Sequence, residues 1–388
     1  MTEGVLSGVR VLEFGGVGPG PYGGMLLADL GADVIRIERT EEAGSGEKRS
    51  ILNRGKRSVA VDLRNPAALE VVRELVLSAD VLVDPFRPGV MERLGLAPDV
   101  VHAWSPRLVY ARMTGWGQDG PYARTAGHDL DYIAVTGLLH AIGEADGPPQ
   151  VPLNIAGDFG GGGTFLVIGV LAGLLQARAT GTGTVVDVAM VDGAASLIAG
   201  TLTMLNGGRW VDERGVNLLD GGAPFYSVYS TKDDRHLAVA PLEPKFFAEF
   251  VRVCGVDIDP AKQYDRSAWP AMRRAITDRI RSRSLNEWID DFRGSDSCVA
   301  AVESLSTAAS NEHLLARGTI LRETGGLQPG IAPRIAGYRT VPPPLGSSPT
   351  TGAHTREVLD ALGLDVDALV DEKVVAASDG DGQAVRSR

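Results

Sequence analysis

What most restricts the folds open to this chain is the regular alternation of strand-like and helix-like segments across its first third. Residues 9–14 are β-rich, 22–30 have helical character and 33–37 read as a second strand, which makes one βαβ unit. The strand pattern returns at 57–63; Asn65 and Pro66 then form a good N-cap and first helical position for a helix through Leu77, and 81–83 is a short apolar strand. A parallel crossover has to pass over a face of the sheet, so the alternation predicts a parallel sheet with helices on both faces. The series continues with a strand at 108–113, helix-period apolar residues over 128–142, an apolar helix opened by Gly160 to Gly163 and running through Ala177, a strand at 184–190 and a helix over 191–205.

Near Asp220 the pattern changes. Short strands at 226–230 and 236–240 flank the polar turn Lys232-Asp233-Asp234-Arg235, which suggests a β-hairpin and the start of a second domain. Helical segments follow at 245–254 and 267–292, then strand-like and loop-like stretches around 320–333. Pro342-Pro343-Pro344 reads as a stiff connector, 355–362 as a last helix, and the end of the chain is polar and expected to be disordered.

Composition removes several classes of function. With 49 acidic and 38 basic residues the formal charge is −11, a field that repels polyanions, so no nucleic-acid partner is expected. Two cysteines, Cys254 and Cys298, cannot build a disulfide framework or a thiolate metal site, and the six histidines show no metal-ligand spacing. The longest apolar stretch, 165–175, is short of the roughly 20 residues that cross a bilayer. No signal peptide or peroxisomal tripeptide is seen, so a soluble cytoplasmic protein without membrane or metal is expected.

Gly18-Pro19-Gly20-Pro21-Tyr22-Gly23 satisfies G-x-G-x-x-G after a strand, and Glu38 stands where a ribose-binding acid would sit. The fingerprint works by presenting backbone N–H groups to a pyrophosphate, however, and Pro19 and Pro21 have none. A sharp turn leading into a helix is the better reading. P-loop, nucleophile-elbow and zincin signatures are missing. Between Lys48 and Arg64 lie Lys48, Arg49, Arg54, Lys56, Arg57 and Arg64 against Asp62 alone, a candidate phosphate site, with a solvated surface loop as the alternative.

A set of motifs carries a resemblance. Leu6-Ser7-Gly8-Val9-Arg10-Val11-Leu12-Glu13, Gly18-Pro19-Gly20-Pro21, Leu30-Gly31-Ala32-Asp33-Val34-Ile35-Arg36-Ile37-Glu38, Asn53-Arg54-Gly55-Lys56-Arg57-Ser58 and Arg87-Pro88-Gly89 resemble the superfamily of family III CoA-transferases and α-methylacyl-CoA racemases. Gly157-Asp158-Phe159-Gly160-Gly161-Gly162, Ala189-Met190-Val191-Asp192-Gly193 and His354-Thr355-Arg356-Glu357-Val358-Leu359 extend the likeness over nearly the whole chain. The resemblance implies an α/β fold: a Rossmann-like large domain with a parallel sheet plus a smaller α+β domain, in an interlocked homodimer. The boundaries expected are 1–220 for the large domain, 221–330 for the small one, 331–375 for the return to the large domain and 376–388 for the tail. It also implies coenzyme A as part of the substrate, with no separate cofactor. Arg39, Arg87 and Arg93 would contact its phosphates or adenine, beside Val17, Val61, Asp62, Leu63 and Arg64.

Within that superfamily two chemistries compete. The transferase branch uses one carboxylate as a nucleophile, and Asp158 occupies that position. The racemase branch needs two acid–base groups on opposite faces of the substrate α-carbon. Gly127-His128-Asp129-Leu130-Asp131-Tyr132 resembles the racemase motif, which makes His128 the second base, and Leu242-Glu243-Pro244 resembles the segment whose acid, Glu243, orients that histidine from the partner subunit. Asp129 and Tyr132 would support the pantetheine or His128. A glycine-rich helix N-terminus after Asp158 would offer donors and a positive dipole end to a developing enolate. Racemisation of 2-methyl-branched acyl-CoA thioesters is therefore the expected activity, with CoA transfer between carboxylic acids as the alternative.

Overall fold

The computed structural model describes residues 4–378. Six strands run parallel: β1 (Arg10–Phe14), β2 (Asp33–Glu38), β3 (Arg57–Val61), β4 (Val81–Asp84), β5 (Val109–Thr114) and β6 (Thr184–Ala189). They lie in the order β3-β2-β1-β4-β5-β6, a doubly wound sheet whose order reverses between β1 and β4. Adjacent residues Val11 and Leu12 are both fully buried, which requires cover on both faces. Leu12, Phe14, Ile35 and Leu82 pack with the helix Ala68–Leu77 on one side. Val11, Val34, Val83 and Val109 pack with helices α1 (Pro19–Asp29) and Phe165–Thr180 on the other.

Several boundaries differ from expectation for local reasons. The helix expected over 128–142 is only α2 (Asp129–Val135). The helix expected from Gly160 begins earlier: residues Ile155–Thr164 form a π-helix that runs directly into α3 (Phe165–Thr180). The continuous run is 26 residues, long and apolar enough by composition to cross a membrane, rather than the short apolar stretch read from sequence. Its Leu166, Val170 and Leu174 are buried in the core beside Val109 and Val188. The single helix expected over 191–205 is two, α4 (Met190–Leu197) and Ala199–Asn206, broken at Ile198.

That break is also a boundary between two compact units. One contains the described residues up to Thr136, Leu153–Leu197 and the described residues from Ala309 on; the other contains Gly137–Pro152 and Ile198–Ala308. The second unit therefore spans 137–152 and 198–308, whereas the sequence reading placed the small domain at 221–330. Its antiparallel sheet of Ser227–Ser230, His236–Val239 and Val299–Ala301 packs on an aromatic core that includes Phe225, Phe247, Phe250 and Trp288. In the first unit a returning strand, Val375–Ala376, pairs antiparallel with β3 and extends the main sheet to seven strands. Of the tail expected over 376–388, residues 376–378 belong to this unit, with Ser378 hydrogen bonded to Thr351; the rest, 379–388, lies outside the described residues.

Candidate active site

A cleft of about 1140 Å³ opens at the carboxyl edge of the parallel strands. Its walls are the loops that leave β1 (Gly15 to Gly20), β2 (Arg39), β3 (Asp62 to Arg64), β4 (Pro85 to Pro88) and β5 (Gly115 and Trp116). This is the reversal point of the strand order, where the crossovers on either side diverge and leave a crevice.

His128 and Asp158 both line this cleft. His128 is the N-cap of α2, held in extended backbone, with its N–H donated to the Asp131 carboxylate at 2.9 Å. Its side chain is exposed. Tyr132 fixes the preceding peptide: its hydroxyl donates to the Gly127 carbonyl, and its ring fills space that a Cβ on Gly115 would occupy. Burial, with the charges of Asp158 and Asp131, pushes the Tyr132 phenol up to about 12, so it stays a neutral donor.

Asp158 lies in the first turn of the π-helix, and this alters the expected electrostatics. The glycines that follow it are helix interior, not a free N-terminus, and the N–H of Asp158 itself is taken by the Asp129 carboxylate at 2.6 Å. Burial raises the Asp158 carboxyl above the usual range; Asn154 opposes this, Asp129 adds to it and the nearby His128 opposes it. Asn154 Nδ2 donates to Asp158 Oδ2 at 3.2 Å. The sequence reading missed Asn154, although a polar residue four positions before a helical carboxylate is a readable signal. Gly18, at φ +68°, lies close enough that a Cβ there would stand 3.1 Å from Asp158 Oδ2.

The glycine run allows this placement. A Cβ on Gly193 would come within 1.9 Å of the Gly161 carbonyl, and one on Gly163 within 2.6 Å of the Tyr22 ring. The π-helix is thus in backbone contact with α4 on one side and close to α1 on the other, a fit that only glycine permits.

The remaining expected residues divide. Val17, Arg39, Val61, Asp62, Leu63, Arg64 and Arg87 line the cleft. Arg39 and Arg87 have no ion-pair partner among the described residues, whereas Arg64 pairs with Asp62 and Glu41. Arg93 lines a neighbouring pocket of about 260 Å³ with Arg87 and Arg124. Asp129, expected to support the pantetheine or His128, is buried next to His128 and is not among the residues that line the cleft. Glu243 belongs to the second unit, exposed at the N-cap of the helix Pro244–Cys254.

The basic segment is corrected. Arg54 is buried on Asp29 at 2.6 Å, Lys56 is buried on Glu13 at 2.6 Å, and Arg57 pairs with Asp33 at 2.5 Å. Arg54 and Lys56 neutralise acids inside the fold and Arg57 a partly exposed one, and of the six only Arg64 is among the residues that line the cleft. Glu38 is engaged too, accepting from Arg36 and Ser58, so it is not held open for a ribose.

Comparison with known proteins places the chain in a family. The model of CoA-transferase family III matches residues 6–355. The chain is 38% identical to the mouse alpha-methylacyl-CoA racemase over 94% of its length and 95% of that protein. It is 37% identical to the human alpha-methylacyl-CoA racemase over 96% and 99%. A crystal structure of a CAIB/BAIF family protein from Brucella suis shares the fold, with TM-score 0.78 at 24% identity, covering 93% of this chain and all of that one.

Proposed function

This chain belongs to CoA-transferase family III, and we propose that its reaction is 1,1-proton transfer at the α-carbon of 2-methyl-branched acyl-CoA thioesters, a racemisation through an enolate. The racemases at 37–38% identity over nearly the full length support this reading. The observation that carries it is the pairing of His128 with Asp158 in one cleft, close enough for His128 to act on the Asp158 carboxyl. One group removes the α-proton, the thioester oxygen takes up the negative charge, and the other group returns a proton to the opposite face of the same carbon. The two side chains end with their protonation states exchanged. A carboxyl raised by burial is suited to this, because it can give a proton as well as take one.

Arg39 and Arg87 would hold phosphates of the coenzyme, with Val17, Val61, Asp62, Leu63 and Arg64 beside its nucleotide end and Arg93 in the adjoining pocket. Coenzyme A enters as part of the substrate, and proton transfer between two side chains needs no resident cofactor. We read the assembly as a homodimer in which Glu243 of a second subunit orients His128; Ile168 and Leu175, apolar and more than half exposed on α3, support a covered face there. A CoA-transferase would instead use Asp158 as nucleophile, and desolvation that favours the neutral acid makes it a poorer one.

The decisive experiment incubates one pure 2-methylacyl-CoA epimer in D2O with no acceptor acid. Deuterium incorporation at the α-carbon with epimerisation is expected, and a transferase would give neither. H128A should lower exchange by about 10²–10⁴-fold, the usual worth of a positioned acid or base. Full exchange in H128A would remove His128 from the chemistry.

A further inference from the structure

The two groups that line the cleft sit on different elements, and a single buried side chain connects them. Asp129 follows His128 as the first residue of α2 and is 6% exposed. Its Oδ1 accepts the N–H of Asp158 at 2.6 Å, and a Cβ on Gly157 would stand 2.7 Å from the same oxygen. Its Oδ2 is buried with no hydrogen-bond partner among the described residues. A buried carboxylate oxygen left unpaired is costly and is kept where it serves a purpose.

We propose that Asp129 is a positioning residue: its carboxylate sets the separation of His128 and Asp158 by tethering the π-helix to the start of α2, and it brings a second negative charge against Asp158. This rests on the reading of Asp158 as a proton donor and acceptor. The charge of Asp129 raises the Asp158 carboxyl. The other polar or charged groups facing Asp158 are Asn154 on its own segment and His128 and Tyr132 from the α2 side. Asp131 and Arg87 act on Tyr132. The tether is short because Gly157 leaves room for it, and it is made to backbone, so it fixes where Asp158 begins and not which rotamer it adopts.

The two roles separate by substitution. Asp129→Asn retains an amide oxygen for the Asp158 N–H and removes the charge; Asp129→Ala removes both. Carboxyl ¹³C NMR of Asp158 across pH should show a lower titration midpoint in D129N than in the parent protein. The pH–rate limb that belongs to Asp158 should move the same way. D129A should lose about 100-fold in kcat, the scale of a misplacement of about 1 Å at a reacting group. KM should stay within about threefold, since the side chain does not line the cleft, and D129N should recover most of the kcat lost in D129A. Superimposable Asp158 titrations in D129N and parent, or parental kcat in D129A, would overturn the proposal. If D129A melts too low to assay, the D129N titration decides alone. That titration needs no turnover, whereas absence of α-proton exchange in the parent protein would instead discard the racemase reading.

Discussion

Asp84 ends β4 and accepts the N–H of Phe86 at 2.9 Å, which fixes the turn that carries Arg87 into the cleft. Its other oxygen lies 3.5 Å from Arg112 Nε, and burial pushes its carboxyl up to about 6 against the help of Phe86 and Arg112. A carboxyl raised from 3.8 to about 6 binds its proton more tightly folded than unfolded. Its contribution to stability is therefore present below pH 4 and lost as pH rises through 6. A shift of this size corresponds to roughly 2–3 kcal/mol. Urea denaturation of the parent and Asp84→Asn proteins at pH 4 and 7.5 should show the parent's relative stability falling by about that amount at the higher pH; a pH-independent difference would refute it. At this scale the sequence revealed residue types in local motifs but not their surroundings. His128 and Asp158 were singled out through the family resemblance of their motifs, since each motif alone reads equally as a helix start. The burial of Arg54, Lys56 and Asp129 was not, because their partners Asp29, Glu13 and the Asp158 N–H lie 25 to 43 positions away.

A glycine run reads locally as a helix start, since glycine is a poor helix former. Here Gly160 to Gly163 are helix interior, because the gain from close backbone packing exceeds the loss in propensity. Gly193 tests this most sharply. A Cβ there would stand 1.9 Å from a backbone oxygen that cannot swing aside, so G193A must push α4 away from the helix that bears Asp158. Overpacking of this kind costs roughly 1–3 kcal/mol or more, and it should lower kcat along with stability because the helix that α4 packs against carries a reacting group. Gly200, on the next helix, has nothing within 4 Å of an added Cβ. G200A should be neutral or stabilising by up to about 1 kcal/mol. Thermal melts and exchange rates on the two variants distinguish packing from a general intolerance of alanine; equal behaviour would contradict the contact. The six parallel strands were legible to within two residues, most of them because a strand buried on both faces is a continuous apolar run in any context. The π-helix was not, because its cause is a contact between residues 161 and 193.

For the molecule as a whole, the C-terminal return is an internal part of the sheet unit and not an appendage. Val358, Leu359, Val366, Val374 and Val375 are buried in the same core as Leu12 and Phe14. Thr355 accepts the Ala60 N–H, His354 Nδ1 accepts the Ser58 N–H, and the last strand covers the edge of β3. Sequence reading found the helix at 355 but not the strand at 375, whose two paired residues are too few to show a period of two. Burying five such side chains contributes roughly 1.5–3 kcal/mol each, which together rivals the 5–15 kcal/mol by which a whole domain is stable. A protein ending at Pro349 should therefore fail to form the sheet unit although the cleft-lining residues precede that point. Its circular dichroism should show no cooperative melt for that unit. The single substitution Leu359→Ala should cost about 2–5 kcal/mol with the cleft chemistry unchanged in pH dependence, because it removes packing on the sheet face away from α1 and α3. Should the truncated protein melt within a few degrees of the full chain, residues 350–378 would have to be regarded as a surface strap, and the seven-stranded sheet as six strands that suffice without them.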